Sequence, residues 1–432
     1  MYMGDRSSEV AVPLLDGGAG GGDAHRDDPL KQRLPVSGST SFFKTCFNGV
    51  NALSGVGILS IPYALASGGW LSLLLFFLVA ASTYYTALLI QKCMEMDRTI
   101  RTYPDIGHRS FGHLGRALLS VSMNVELYLV STGFLIVEGD NLHGLFPNME
   151  FQIAGITIGA KNGFILLVTC LLMVLTFCPD NMSFVSYFSA GGVIASSVLV
   201  CTVLWAAAVD GVGFHHNNGT LINVEGLPTA VSLYAFCYCA HPVFPTLYNS
   251  MSNQRQFSKV MLVCFVFCTL GYSVTAIMGY LMFGPNLQSQ ITLNLPKDKI
   301  SSKVAIYTTI INPLAKYTLM VTPIVHAIEN RIVVYNPSKG CRVLIRMGLL
   351  LSSMAVAVAI PFFEILMSLV GAFLSITASV IFPCLCYLKM SGDYRRFRRK
   401  SAAIWGIVLV GVVVLVVGTY VAMRDIYLQL LR

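Results

Sequence analysis

Two runs of this chain carry no charge for longer than a bilayer is thick. Residues 402–423 read AAIWGIVLVGVVVLVVGTYVAM, 22 residues without a charged side chain, and residues 260–283 go 24 without one. In hydrocarbon a backbone must satisfy its own N–H and C=O groups, so such runs fold as helices long enough to cross a core of about 30 Å. Only 12% of the 432 residues are charged and 55% are hydrophobic, whereas soluble domains carry about 25% charge. The chain therefore reads as an all-α polytopic membrane protein, and a soluble protein with buried core helices is set aside.

Apolar segments recur at 42–66, 70–93, 117–140, 163–178, 183–208, 226–249, 258–284, 302–325, 344–362, 364–387 and 402–423, eleven in all. Residues 1–40 are polar and glycine-rich, without the apolar stretch of a cleaved signal, and read as a disordered cytosolic tail. Lysine and arginine set the orientation of such a chain. With the N-terminus cytosolic, 22 of the 29 fall on the cytosolic side and 6 on the other, leaving Lys316 inside a span. The net charge of +8 thus reflects topology and gives no reason to expect nucleic acid. Asn218-Gly219-Thr220 is a glycosylation sequon in the non-cytosolic loop 209–225. None of the twelve cysteines lies in a non-cytosolic loop, so disulfides are not expected. Cys237/Cys239 and Cys384/Cys386 read as small packing residues rather than metal ligands.

The expected layout is a first transmembrane repeat at 41–208, the loop 209–225, a second repeat at 226–387, a basic cytosolic loop at 388–401, and an eleventh span with a short non-cytosolic end at 402–432. Five spans per set is an odd number, so the second set enters from the opposite side and the two sets are candidates for an inverted repeat. The first helix of each set is interrupted, in one by Asn51-Ala-Leu-Ser-Gly-Val-Gly57 and in the other within Tyr234–Pro242. Unwound backbone at membrane depth survives only where it lines a cavity or is buried in protein. Matched breaks in two halves mark the binding site of a secondary transporter.

The runs FFKTCFNGVNALSGVGILSIPYALASGGW (42–70), TYPDIGHRSFGHLGR (102–116) and INPLAKYTLMVTPI (311–324) resemble the amino acid/auxin permease family, and within it the plant vacuolar amino-acid transporters. The resemblance covers residues 41–425. It implies a LeuT-type 5+5 inverted repeat with an eleventh transmembrane helix. It also implies small amino acids as substrates and the proton as coupling ion. No enzymatic activity, cofactor or metal is expected. Glu9 with Leu14-Leu15 resembles an acidic dileucine signal, spaced one residue longer, and favours an endomembrane address, the vacuolar membrane being the one the resemblance implies.

An amino-acid carboxylate wants open amides at a positive helix end, which places it at Ser54, Gly55, Val56 and Gly57. The ammonium wants unwound carbonyls, near Asn51 and around Tyr234–Cys237. Phe236 and Tyr234 are expected to line the side-chain pocket. The competing reading of the glycine pair is close helix packing. Apart from His241, neither break holds an ionisable acid or base, which favours a neutral substrate. Lys316 should face the protein interior, since a lone intramembrane lysine is costly. In LeuT-type sodium symporters the corresponding helix helps hold sodium. The Lys316 ammonium would take that place, bridging to carbonyls of the first half of span 1, with protonation and deprotonation favouring different states; the alternative is a lysine snorkelling to the interface. Glu126 is either a proton carrier or a structural hydrogen-bond acceptor, and His241 either a titrating group or a cap on broken backbone. Glu138 and Asp140 are expected at the outer interface, and residues 100–115 as a cytosolic helix bracing the inner face. The chain is expected to act as a monomer in the lipid bilayer. A non-transporting amino-acid sensor using the same site is the alternative function.

Overall fold

The computed structural model describes residues 38–153, 156–176, 182–214, 219–332, 339–393 and 399–431. Asn218, the sequon asparagine, and the tail through residue 37 lie outside the described residues.

The first apolar segment folds as two helices, α1 (Phe42–Leu53) and α2 (Gly57–Gly68), bent 53° from one another. Ser41 caps α1, its hydroxyl accepting from the Lys44 amide at 3.4 Å. Then come α3 (Ser72–Met96) and α4 (Tyr103–Leu145). Thr102 and Asp105 form a capping box at the start of α4, and Gly112, at φ +66°, kinks it one turn before its apolar part begins. A two-stranded hairpin, β1 (Phe151–Ile153) with β2 (Ile156–Ile158), leads to α5 (Ala160–Thr176) and α6 (Met182–Ala208).

The second half opens on α7 (Leu227–Cys237), a 3-10 turn at His241–Val243, and α8 (Phe244–Ser250). It continues with α9 (Phe257–Phe283), a single turn α10 (Ile291–Asn294), α11 (Ile300–Ile332) and α12 (Lys339–Ala359). The next rod begins as α13 (Phe363–Leu369), winds as π-helix through Val370–Ser375 and Thr377–Ile381, and ends as α14 (Phe382–Ser391). The last helix is α15 (Arg399–Leu430). Among the described residues, seven helices are long and apolar enough to cross a membrane alone, and α1 with α2 make an eighth as a bent pair.

Packing brings the two interrupted helices together. α2 lies along α7 and α9, α1 along α9, and α11 between α4 and α6. Small residues let the backbones approach. Gly49 of α1 meets Cys264 of α9, whose sulfur donates to the Cys46 carbonyl at 3.3 Å. α15 stays peripheral, with Leu409, Val410, Val413 and Tyr420 exposed toward lipid.

The brace expected from residues 100–115 is present as a contact. The Tyr103 hydroxyl donates to the Ala378 carbonyl in the π-helical stretch, and Asn249 reaches the Arg101 carbonyl at 3.1 Å. The turn before it is pinned by Asp97, which accepts from the Thr99 amide and hydroxyl and pairs with Arg109 at 2.7 Å. The Thr99 hydrogen bonds, then the Arg109 guanidinium, hold the Asp97 carboxyl below the usual aspartate range. A depressed native pKa stabilises the fold at pH values above the unfolded pKa of about 4, and that contribution is lost as pH falls through the native pKa.

One expectation about exposure is corrected. Glu138 is 1% exposed, with neither carboxyl oxygen bonded among the described residues, so it is enclosed by protein rather than open to its surroundings. Asp140 is tied in as well, to Lys161 at 2.5 Å and Gln290 at 2.9 Å. Gln290 also accepts from Asn141 at 2.8 Å. The connection 284–299 carries Gln290 across the end of α4 and covers what the sequence alone places at the rim.

Candidate functional site

The first break exposes both ends of a helix within three residues. The Ser54 amide still bonds the Val50 carbonyl at 2.7 Å and the Gly55 amide the Leu53 carbonyl at 2.9 Å. The amides of Val56 and Gly57 have no partner among the described residues, and the buried Ser54 hydroxyl has none either. These amides begin α2, where the partial charge is positive. Beside them lies a narrow cleft with free room of about 20 Å³, space for about one water, lined by Gly55 and Val56, by Ser196 of α6, and by Thr308, Thr309 and Asn312 of α11. Val56 brings its open amide to this cleft, whereas Gly57 lies against Cys237 and is not part of its lining.

The opposite end of the break is negative, because the last carbonyls of α1 point out of it. Lys316 answers them. It is 6% exposed, and its ammonium donates to the Ser54 carbonyl at 3.2 Å. Asn51 lies in the last turn of α1, and Gly192 of α6 leaves room for both side chains: a Cβ there would lie 2.3 Å from Asn51 Oδ1 and 3.3 Å from Lys316 Nζ.

The second break begins later than the sequence suggested. α7 stays wound through Tyr234, Phe236 and Cys237, and winding is lost at Tyr238, whose ψ is 23°. The carbonyls of Ala235 and Phe236 accept from Tyr238 and Cys239, and that of Cys237 accepts from Tyr272 of α9 at 3.3 Å, so the acceptors expected to stand open across 235–237 are taken. The two breaks touch. Cys237 Sγ donates to the Gly57 carbonyl at 3.6 Å, and a Cβ on Gly57 would meet that sulfur at 2.8 Å. None of Tyr234, Phe236 and Cys237 lines the cleft beside the first break. Tyr234 turns its hydroxyl to Ser72 of α3 at 2.8 Å and packs its ring edge-on to Phe76. Phe236 is buried facing Gly371 of the π-helical rod.

The other two ionisable candidates lie at separate places. Glu126 is buried on α4 and accepts from Ser375 of the π-helix at 2.6 Å. His241 is buried under α3, its Nε2 within 2.9 Å of Thr86 Oγ1 and 3.1 Å of the Thr83 carbonyl. Thr86 in turn donates to the Ser379 carbonyl at 2.7 Å. Both therefore connect to the π-helical rod, and neither bonds Lys316 among the described residues.

Tyr272 of α9 was not legible beforehand. Its hydroxyl donates to the Leu53 carbonyl at 2.7 Å and lies 3.3 Å from the Cys237 carbonyl, so one buried group ties the ends of both interrupted helices. Uncharged and set among other aromatics, it gives no signal in sequence. Tyr272→Phe should leave the Cys237 carbonyl without a donor and the Leu53 carbonyl with one fewer. The expected cost is about 1–3 kcal/mol, read as a lower unfolding temperature of the detergent-solubilised protein; an unchanged temperature would show that the hydroxyl ties nothing.

A bundle with two interrupted helices in contact, open amides and a buried ammonium at one break has the construction of a helical membrane transporter. Comparison with known proteins supplies the family. Residues 38–424 match the family described as transmembrane amino acid transporter protein. Amino acid transporter AVT1J of Arabidopsis thaliana is 55% identical over 93% of this chain and 95% of its own length, and AVT1I of the same plant is 54% identical over 90% and 96%. The chain belongs to the transmembrane amino acid transporter family, a family of carriers and not of enzymes. A solved Na⁺-coupled sialic acid symporter, in a substrate-bound outward-open state, matches 88% of this chain and 89% of its own with a TM-score of 0.52. At 11% identity that likeness is one of fold, and it agrees with the LeuT-type architecture inferred from the sequence.

Proposed function

We propose that this chain moves small neutral amino acids across the vacuolar membrane, coupled to protons, by alternating access. The observation that carries the reading is the Lys316 ammonium on the Ser54 carbonyl, at the break where the Val56 and Gly57 amides stand open. The substrate carboxylate binds those amides, and its ammonium binds carbonyls exposed as the two breaks part. Neutral substrates fit because the lining beside the break is made of hydroxyl, amide and apolar groups. Lys316 supplies a tethered cation where helix α1 ends. Its proton holds α1 to α11, and loss of that proton frees α1 to move. Glu126 and His241 stand as further proton-coupling candidates on the π-helical rod. The N-terminus faces the cytosol, as the lysine and arginine bias requires. Both halves of the site come from one chain, so a monomer suffices.

The test is purified protein in liposomes, with a panel of labelled neutral amino acids and a pH gradient imposed in either sign. Accumulation above equilibrium with one sign only is expected, and that sign gives the direction of coupling. Accumulation indifferent to the gradient would overturn proton coupling. Saturable binding without accumulation would return the sensor reading.

A further inference from the structure

Away from the breaks, a second hollow of about 250 Å³ opens at the end of the bundle that carries the 209–225 connection. It shares no residue with the cleft beside the first break. Tyr63 of α2, Glu225 before α7, Glu364 and Ser368 of α13, and Arg424 and Asp425 of α15 line it.

The chemistry of this wall is specific. Tyr63, Glu364 and Asp425 come from three different helices and share the lining of this one hollow. Ser289 and the Lys161–Asp140 pair lie near Glu364 as well. Ser368 follows Glu364 by one helical turn and faces the same way. It is 2% exposed, and its hydroxyl has no hydrogen-bond partner among the described residues. A buried hydroxyl left unpaired costs stability, and here it lines an open hollow. Arg424 has five N–H donors, of which Nε and Nη2 reach Asp425 Oδ1 at 3.3 and 3.1 Å. Donors remain for another anion.

Carboxylates with an unpaired hydroxyl on one wall, and a guanidinium with spare donors on another, match a molecule bearing an ammonium and a carboxylate together. We infer that this hollow is a second binding site for an amino-acid zwitterion, with the ammonium on Glu364, Glu225 and the Ser368 hydroxyl and the carboxylate on Arg424. The inference rests on the amino-acid reading above. Helix α2 links the two places: Tyr63 follows Leu59 of the first cleft by four residues, about 6 Å along the axis. A molecule held here would wait about one turn beyond the first cleft.

The full chain in lipid nanodiscs, dialysed to equilibrium against labelled L-alanine, L-leucine and L-glutamine, tests this. Two molecules of at least one of these per chain are expected for the unaltered protein. One is expected for Glu364→Gln combined with Ser368→Ala, and one for Arg424→Gln, whose exposed side chain makes misfolding no explanation for the loss. A single molecule in the unaltered protein would overturn the second site and leave the transport reading standing. Loss of the second molecule to putrescine, with Arg424→Gln without effect, would overturn zwitterion recognition in favour of a simple cation site. Failure of all three amino acids to bind the unaltered protein would take down both readings.

Discussion

Lys316→Met should abolish pH-gradient-driven accumulation while leaving the protein folded. Methionine keeps the length of the side chain and removes its charge and donors. The Ser54 carbonyl then ends α1 without its 3.2 Å partner. A buried carbonyl left unsatisfied costs about 1–3 kcal/mol, which shifts the balance between two conformations roughly ten- to a hundredfold if one of them depends on the bond. Exchange of labelled for unlabelled substrate at equal pH on both sides is expected to survive, because it needs no net movement of a proton. Undiminished accumulation in this variant would remove Lys316 from the coupling mechanism. Gly192→Ala provides a check that changes no ionisable group. Its methyl would press on Asn51 Oδ1 and approach Lys316 Nζ, so uptake should fall with the charge still present.

Lys316 and the first break were legible because each violates a rule that holds along the rest of the chain. A lone charge inside an apolar span and a Ser-Gly-Val-Gly run inside a helix both cost free energy in lipid unless a partner is supplied. The structure supplies each with the other. The second break was legible only approximately. Nothing in Tyr234–Ala240 resists helix, and winding fails there because Pro242 and Pro245 follow, residues that bring no amide to bond backward. The contact between Cys237 and Gly57, 180 residues apart, has no local signature. Tyr272 is hidden for the same reason: the carbonyl it binds is 219 residues away. Glu138 was expected to be open because a count along a span assumes that the span ends in water, whereas the connection bearing Gln290 folds over the end of α4. The π-helical winding of 370–381 also escaped, although it carries contacts of Tyr103, Glu126 and Thr86. An extra residue in a helical turn leaves the apolar pattern of a fully buried rod unchanged.

That rod yields the second large effect. Gly371→Ala should largely prevent folding. A Cβ at this position would lie 1.9 Å from the Ser232 carbonyl oxygen and 2.7 Å from its carbon, both backbone atoms of α7. No side-chain rotation relieves a clash with backbone, so the π-helical rod and α7 must separate by about an ångström, at a cost of about 1–3 kcal/mol or more. The third helix of the seam leaves little freedom to do so. A Cβ on Gly418 of α15 would already meet Ser232 Oγ at 2.6 Å and Ala372 Cβ at 2.8 Å. The displacement also has a direct route to the site. Phe236 stands 3.2 Å from the added methyl, and the next residue, Cys237, fills the space over Gly57. Molecules that do fold should therefore transport poorly. Size-exclusion profiles of fluorescently tagged protein should show aggregate in place of a monodisperse peak. Gly55→Ala is the matched control, since nothing lies within 4 Å of a Cβ there; it should fold as well as the unaltered chain. If Gly371→Ala gives the same monodisperse peak as that control and the same resistance to heat, α7 does not press on the rod this closely, and the path from this seam to the second break is lost.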